Sequence, residues 1–227
     1  LTMANETYRI LIIDERADDI DQFKNMFDLT TDFEVFGLDK LEHDDDLFDF
    51  IRENDIDAVA IDYKLRELHS AFSKNGDSYL NQLLDNFENF PTFILTNNVI
   101  DAKAHQIDPF KIIDKDIIAV DMENEAQVAN AADLIDNIRH LITNYRSNLE
   151  HKENELAELI TRQEKGQQLS EQELQRMVEL DNDLENSLSK RLKIPGSWKS
   201  PSGLEKLSNL VHNTEEILNE LKKINHD

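Results

Sequence analysis

The sequence predicts an α/β chain: a doubly wound, five-stranded parallel sheet followed by an extended helical region, either a coiled coil or a bundle. Three observations lead there. Short apolar runs alternate with helix-periodic stretches up to about residue 120. The runs end in a recurring set of polar residues: Asp14-Glu15, Asp62, Thr96 and, near the last, Lys115. From Val128 onward, apolar residues recur every seven positions, and no Pro or Gly intervenes between Glu123 and Lys165.

Each element has its own warrant. Tyr8–Ile13 is mostly apolar and is stopped by Asp14, which fits a strand buried on both faces. Ile20, Phe23 and Phe27 then fall at helical spacing over 17–29. Asp32–Leu38 is the second expected strand, and Leu47, Phe48 and Ile51 mark a helix over Asp44–Asn54. Ile56–Ile61 is the third strand, stopped by Asp62. Gly76 precedes a helix carrying Tyr79, Leu80, Leu83, Leu84 and Phe87. Pro91–Leu95, stopped by Thr96, and Lys111–Ile113, stopped by Asp114 and Lys115, complete the five. Strands alternating with helices in this way imply a parallel sheet covered on both faces.

Composition excludes several classes. The 227 residues carry 24 basic and 48 acidic side chains, a formal charge of −24. The first 123 residues hold 29 of the acids against 11 bases. Such a chain is repelled by a phosphate backbone and by anionic membrane surfaces, so neither nucleic acid nor membrane is an expected partner. The chain has no Cys, which removes disulfides, thiolate metal sites and a thiol nucleophile. No apolar run reaches membrane-span length and no signal-peptide pattern opens the chain, so the expected location is cytoplasmic. The five Gly are not clustered, so no nucleotide-binding loop is expected and no separate enzymatic domain is seen.

The polar strand ends carry the chemistry. In an open parallel sheet the carboxyl ends of neighbouring strands meet at one crevice. Asp14, Glu15 and Asp62 would converge there with Thr96 and Lys115. Carboxylates so close need a cation or protonation. Hard oxygen ligands with room for water suit Mg²⁺. The alternative at any one position is a solvated acid that merely ends a strand.

At this point the sequence resembles the receiver domain of two-component response regulators. The matching stretches are ILIIDER (10–16), DAVAIDYKL (57–65), GDSYL (76–80), PTFILTNN (91–98) and IIDK (112–115), and the resemblance covers roughly residues 7–145. It implies that Asp62 is the phosphoacceptor, fed by a sensor histidine kinase or a phosphotransfer protein. It implies that Asp14, Glu15, Asp62 and the backbone carbonyl of Lys64 hold Mg²⁺. Thr96 would hydrogen-bond the phosphoryl group and Lys115 would pair with it. The pattern has departures. The stretch from Asp62 to Gly76 is long, with a polar insertion RELHSAFSKN that is either a specificity contact or a surface loop. Asp116 follows Lys115 where the family usually has Pro. Asn97 stands where a small residue is common, and Ile112 where many members have Tyr or Phe. Residues 97–110 are short for a loop and a full helix.

The second region reads as helical throughout. Val128, Ile135, Ile142, Leu149 and Leu156 form one line of a heptad seam; Ala131, Ile138, Tyr145 and Leu159 form the other, interrupted by Lys152. One helix of about 40 residues would be ~60 Å long. Gly166 ends it, and Ser170 with Glu173 makes a capping-box pattern for the next helix. Pro195, Gly196, Pro201 and Gly203 mark a linker before a last amphipathic helix from Leu204. The expected division is 1–145 for the receiver-like domain and 146–227 for an output or dimerisation region. The seam needs a partner helix, from its own chain, from a second copy, or from both in a dimeric bundle, and a homodimer is the expected assembly. His140, His151, His212, the KRLK patch (190–193) and Trp198 match no effector pattern and read as ordinary structural positions. Three functions follow: a response regulator whose helical tail contacts a downstream protein, a phosphate sink without effector, or a pseudo-receiver scaffold. The full set Asp14, Glu15, Asp62, Thr96 and Lys115 argues against the last.

Overall fold

The computed structural model describes residues 7–66, 72–87, 89–105, 107–185 and 187. Part of the polar insertion (67–71), the expected linker and last helix, the KRLK patch, Trp198 and His212 lie outside the described residues. Packing divides the chain into two units, with the boundary inside one long helix, between Leu149 and Glu150.

The first unit holds five parallel strands: β1 (Tyr8–Ile13), β2 (Phe33–Leu38), β3 (Ala58–Asp62), β4 (Thr92–Thr96) and β5 (Ile112–Asp114). Their order is β2-β1-β3-β4-β5, the doubly wound arrangement shared by flavodoxins and receiver domains. The connecting helices are α1 (Ala17–Phe27), α2 (Asp46–Glu53), α3 (Gly76–Asn86), a six-residue α4 (Val99–Ala104), the single turn α5 (Lys115–Ile118) and α6 (Glu125–Glu164). The short α4, followed by a 3₁₀ turn at Pro109–Lys111, is what the brevity of 97–110 implies. Strand bounds differ from the apolar runs by one or two residues, because backbone pairing and not hydropathy ends a strand. Asp62, Thr96 and Asp114 are the last paired residues of their strands.

Successive strand residues face opposite sides, and the two cores sort accordingly. Leu11, Ile13, Val59, Ile61 and Ile94 pack with Leu47, Ile51, Tyr79, Leu80, Leu83 and Ala102 of α2, α3 and α4. Ile10, Ile12, Ala58, Ala60, Phe93 and Leu95 pack with Ile20, Phe23 and Phe27 of α1 and with Ala131, Ile135, Ile138 and Ile142 of α6. At roughly 1.5–3 kcal/mol per buried large aliphatic or aromatic side chain, these two layers dominate the stability of the unit. The first half of the heptad seam is therefore a sheet-covering stripe.

Two arginines seven residues apart fasten α6 to the amino ends of the strands. Arg139 donates to both oxygens of Asp32, at 2.7 and 3.1 Å, and lies over the Phe33 ring. Arg146 donates to both oxygens of Asp57, at 2.9 and 2.6 Å, and lies 4.8 Å from the centre of the Tyr8 ring. Each pairs a bidentate carboxylate with a cation–π contact at a strand start, geometry that a lysine cannot reproduce.

In the second unit, α6 beyond Glu150 pairs with α7 (Glu171–Glu185). Leu156 and Leu159 bury against Met177 and Leu180, so this part of the seam is covered by its own chain. Lys152, the charged interruption of the seam, donates to Asp183 of α7 at 2.8 Å. Gly166 adopts φ 77°, a left-handed turn that favours glycine. The capping box is formed: Ser170 N–H donates to Glu173 Oε2 at 2.8 Å and Glu173 N–H to Ser170 Oγ at 3.3 Å. No described helix is long and apolar enough to cross a membrane.

The loop leading into α3 is anchored by one acid. Asp44 accepts from Lys74 Nζ at 2.7 Å, from the Tyr79 hydroxyl at 2.8 Å and from the Ser73 hydroxyl. The hydrogen bond from Lys74 first, then that from Ser73, pulls its carboxyl down to about 2 from 3.8. The folded state thus binds the Asp44 proton less tightly than the unfolded chain. Its stabilisation is present above about pH 4 and is lost as pH falls towards about 2. Asp44→Asn should remove about 1–2 kcal/mol at neutral pH and flatten the acid limb of stability. Urea unfolding of both proteins from about pH 6 to about pH 2.5 reads this; parallel curves would contradict it.

Candidate functional site at the carboxyl ends of the strands

The register brings the predicted residues to one level. Ile13 pairs with Ile61, Asp62 with Leu95, and Thr96 with Asp114. Asp14 therefore lies beside Asp62, and Lys115 begins the turn just past the end of β5. Asp14, Asp62, Thr96 and Lys115 are all buried.

Lys115 is the centre of the arrangement. Its ammonium lies 2.6 Å from Asp14 Oδ2, 2.6 Å from Asp62 Oδ1 and 2.7 Å from Asp19 Oδ2. Of its three N–H donors, two hydrogen-bond to Asp14 and Asp19, and Asp62 completes the arrangement as a close ion pair. Burial alone would lower the lysine's pKa; the charges of Asp62 and Asp14, with the bonds to Asp14 and Asp19, reverse this and hold it above its ordinary value. The lysine is a fixed cation. Asp14 is also shifted upward, which for a carboxyl disfavours the charged form. Burial pushes its carboxyl up to about 6, against the pull of Lys115, and the Asp62 charge adds to the rise.

The remaining polar atoms are arranged by short loops. Asp62 Oδ2 accepts from the Lys64 backbone N–H at 2.9 Å, and Asp14 Oδ1 accepts from the Arg16 N–H at 2.9 Å. Thr96 Oγ1 accepts from the Asn98 N–H at 3.0 Å, which leaves the hydroxyl proton available to donate. Glu15 is half-buried in the β1–α1 loop, and the Lys64 side chain is exposed. Asn97 is exposed and Ile112 packs partly into the core.

Of the predicted set, the structure brings Asp14, Asp62 and Lys115 into direct contact. It does not bring Glu15 or Thr96 into contact with the ammonium. It adds Asp19, which the sequence reading missed. The available signal was position: α1 starts at Ala17, so its first turn carries Asp19 back over the end of β1. Nothing in the sequence alone separates it from its neighbour Asp18.

Three carboxylates against one ammonium leave a formal excess of two negative charges in a buried crevice. That chemistry suits a hard divalent cation with water in its shell. Among the described residues, however, no three acidic or histidine side chains are arranged to hold a metal ion by themselves. The ammonium is the cation that organises this site. The donor types fit Mg²⁺.

No protein-family model and no curated protein sequence matches the chain. Among solved structures, the chain is similar to the response regulator domain of Thermotoga maritima CheB, at 16% identity over 61% of this chain and 98% of that one, with a TM-score of 0.43. It is also similar to the Salmonella typhimurium RcsB response regulator, at 12% identity over 86% of this chain and 74% of that one, with a TM-score of 0.41. The strand order and the crevice in the structure itself define a doubly wound α/β domain with an acid–lysine cluster at its strand ends. This is the fold class that the receiver resemblance of the sequence implies.

Gly76 fixes how closely α3 approaches the site. A Cβ there would fall 2.1 Å from the Asp62 carbonyl oxygen. The Gly76 N–H also donates to the Tyr63 carbonyl at 3.0 Å, so the two backbones are tied together. Gly76→Ala should cost about 1–3 kcal/mol, the usual range for an overpacked buried position, and displace the main chain at Asp62. The urea midpoint reads the first effect; a variant of unchanged stability would contradict the close approach.

Proposed function

We propose that the chain is a response-regulator receiver. Asp62 accepts a phosphoryl group from a histidine kinase or a phosphotransfer protein, and the helical region that follows contacts a downstream protein. The single observation that carries this reading is the convergence of Asp14 and Asp62, from adjacent strand ends, on the buried ammonium of Lys115. Structural ion pairs are usually balanced, whereas this one is left with excess negative charge at the crevice where doubly wound sheets bind their ligands.

The residues have separable tasks. A carboxylate oxygen of Asp62 is the nucleophile. As its bond to phosphorus forms, the donor's bond to phosphorus breaks, and the leaving group departs with the electron pair. Lys115, held charged, donates N–H to the phosphoryl oxygens. The free proton of the Thr96 hydroxyl is placed to do the same. Asp14, Glu15, Asp62 and the Lys64 carbonyl are the groups that would hold Mg²⁺, which when bound neutralises charge on the transferring group. The fold contributes fixed positions, and charge stabilisation at fixed positions is the main catalytic resource in phosphoryl transfer.

The test uses the full chain with acetyl phosphate and Mg²⁺, read by intact-protein mass. The wild type should gain one phosphoryl group, the Asp62→Asn variant none, and excess chelator should suppress the gain. Undiminished labelling of Asp62→Asn would overturn the assignment.

A further inference from the structure

Lys115 is ringed by three carboxylates: it hydrogen-bonds to Asp14 and Asp19 and lies 2.6 Å from Asp62 in an ion pair. A phosphoryl group arriving at Asp62 meets the same ammonium and competes with the carboxylates that hold it. Asp14 is poorly suited to let go: its side chain is 1% exposed, and its other oxygen is held by the Arg16 N–H. Asp62 is itself the proposed acceptor. Asp19 differs from both. Its side chain is 18% exposed, and it stands in the first turn of α1, where it can swing into water and keep its charge solvated.

We infer that Asp19 is a releasable counter-ion of Lys115, a positioning residue that holds the ammonium in the resting state and competes with the incoming phosphoryl group for it. The inference rests on the receiver reading and deepens it. In the resting protein Asp19 accepts one of the two hydrogen bonds that the buried lysine donates. During transfer, the donor's phosphorus–oxygen bond breaks as the bond to Asp62 forms, acetate leaves with the electron pair, and the phosphoryl oxygens take the N–H that Asp19 gives up. Asp19 therefore restrains the reaction. Its charge also repels the approaching dianion, which acts in the same direction.

The neighbouring Asp18 supplies the control. It is exposed, carries the same charge on the same helical turn and makes no contact with Lys115. The experiment measures the initial rate of phosphoryl gain from acetyl phosphate and Mg²⁺ for full-length wild type, Asp19→Asn, Asp19→Ala and Asp18→Asn. Asp19→Asn and Asp19→Ala should each react roughly three- to tenfold faster than wild type, the net scale of one hydrogen bond. Asp18→Asn should change the rate less than twofold. Equal acceleration by Asp18→Asn would mean that only general charge matters and would overturn the inference. So would an unchanged or slower rate in both Asp19 variants while the wild type labels normally. A wild type that takes no phosphoryl group would fail the receiver reading itself and take this inference with it; the two failures are told apart by the wild-type lane alone.

Discussion

One ammonium organises the carboxyl ends of the strands. Lys115 is almost fully buried, and an unpaired buried cation is expensive enough that proteins neutralise or expel it. Asp14 from the end of β1, Asp62 from the end of β3 and Asp19 from α1 supply the pairing. The dependence is mutual, because three carboxylates without the lysine would repel one another at the same depth. β1, β3, the start of α1 and the turn after β5 are thereby tied through one atom. The close approach of Gly76 to the Asp62 carbonyl adds α3 to the same arrangement.

The two ends of the sheet use charge differently. At the amino ends, Asp32 and Asp57 each accept two hydrogen bonds from one guanidinium, of Arg139 and Arg146 respectively. Each of these two acids is gripped at both oxygens, which suits a permanent fastening of α6. At the carboxyl ends, three acids share one base. That end keeps unspent attraction for a cation.

Much of this was legible in the sequence, and the reasons are specific. Runs such as Leu11–Ile13 and Val59–Ile61 can only be buried on both faces, so the parallel sheet follows from their composition. The acids that end them fall at the crevice because all the strands point the same way. The Ser170–Glu173 box and Gly166 announced the turn between α6 and α7 through local backbone chemistry. The heptad seam was legible as a stripe, but its partner was not. Ala131 to Ile142 face the sheet, whereas Leu156 and Leu159 face α7, and a seven-residue repeat is the same in either case. Asp19, Arg139 and Arg146 were hidden for one shared reason. Each is a charged residue on a helix rich in charged residues, and only the tertiary fold shows which of them reaches a buried partner.

The central claim is that Lys115 is held by three carboxylates at once, and the most direct measurement is the pH titration of its side-chain nitrogen by NMR in the full-length protein. The account predicts ammonium protons protected from exchange and a pKa above the ordinary 10.5. An ammonium that titrates at or below that value, with protons exchanging as freely as those of a surface lysine, would contradict it.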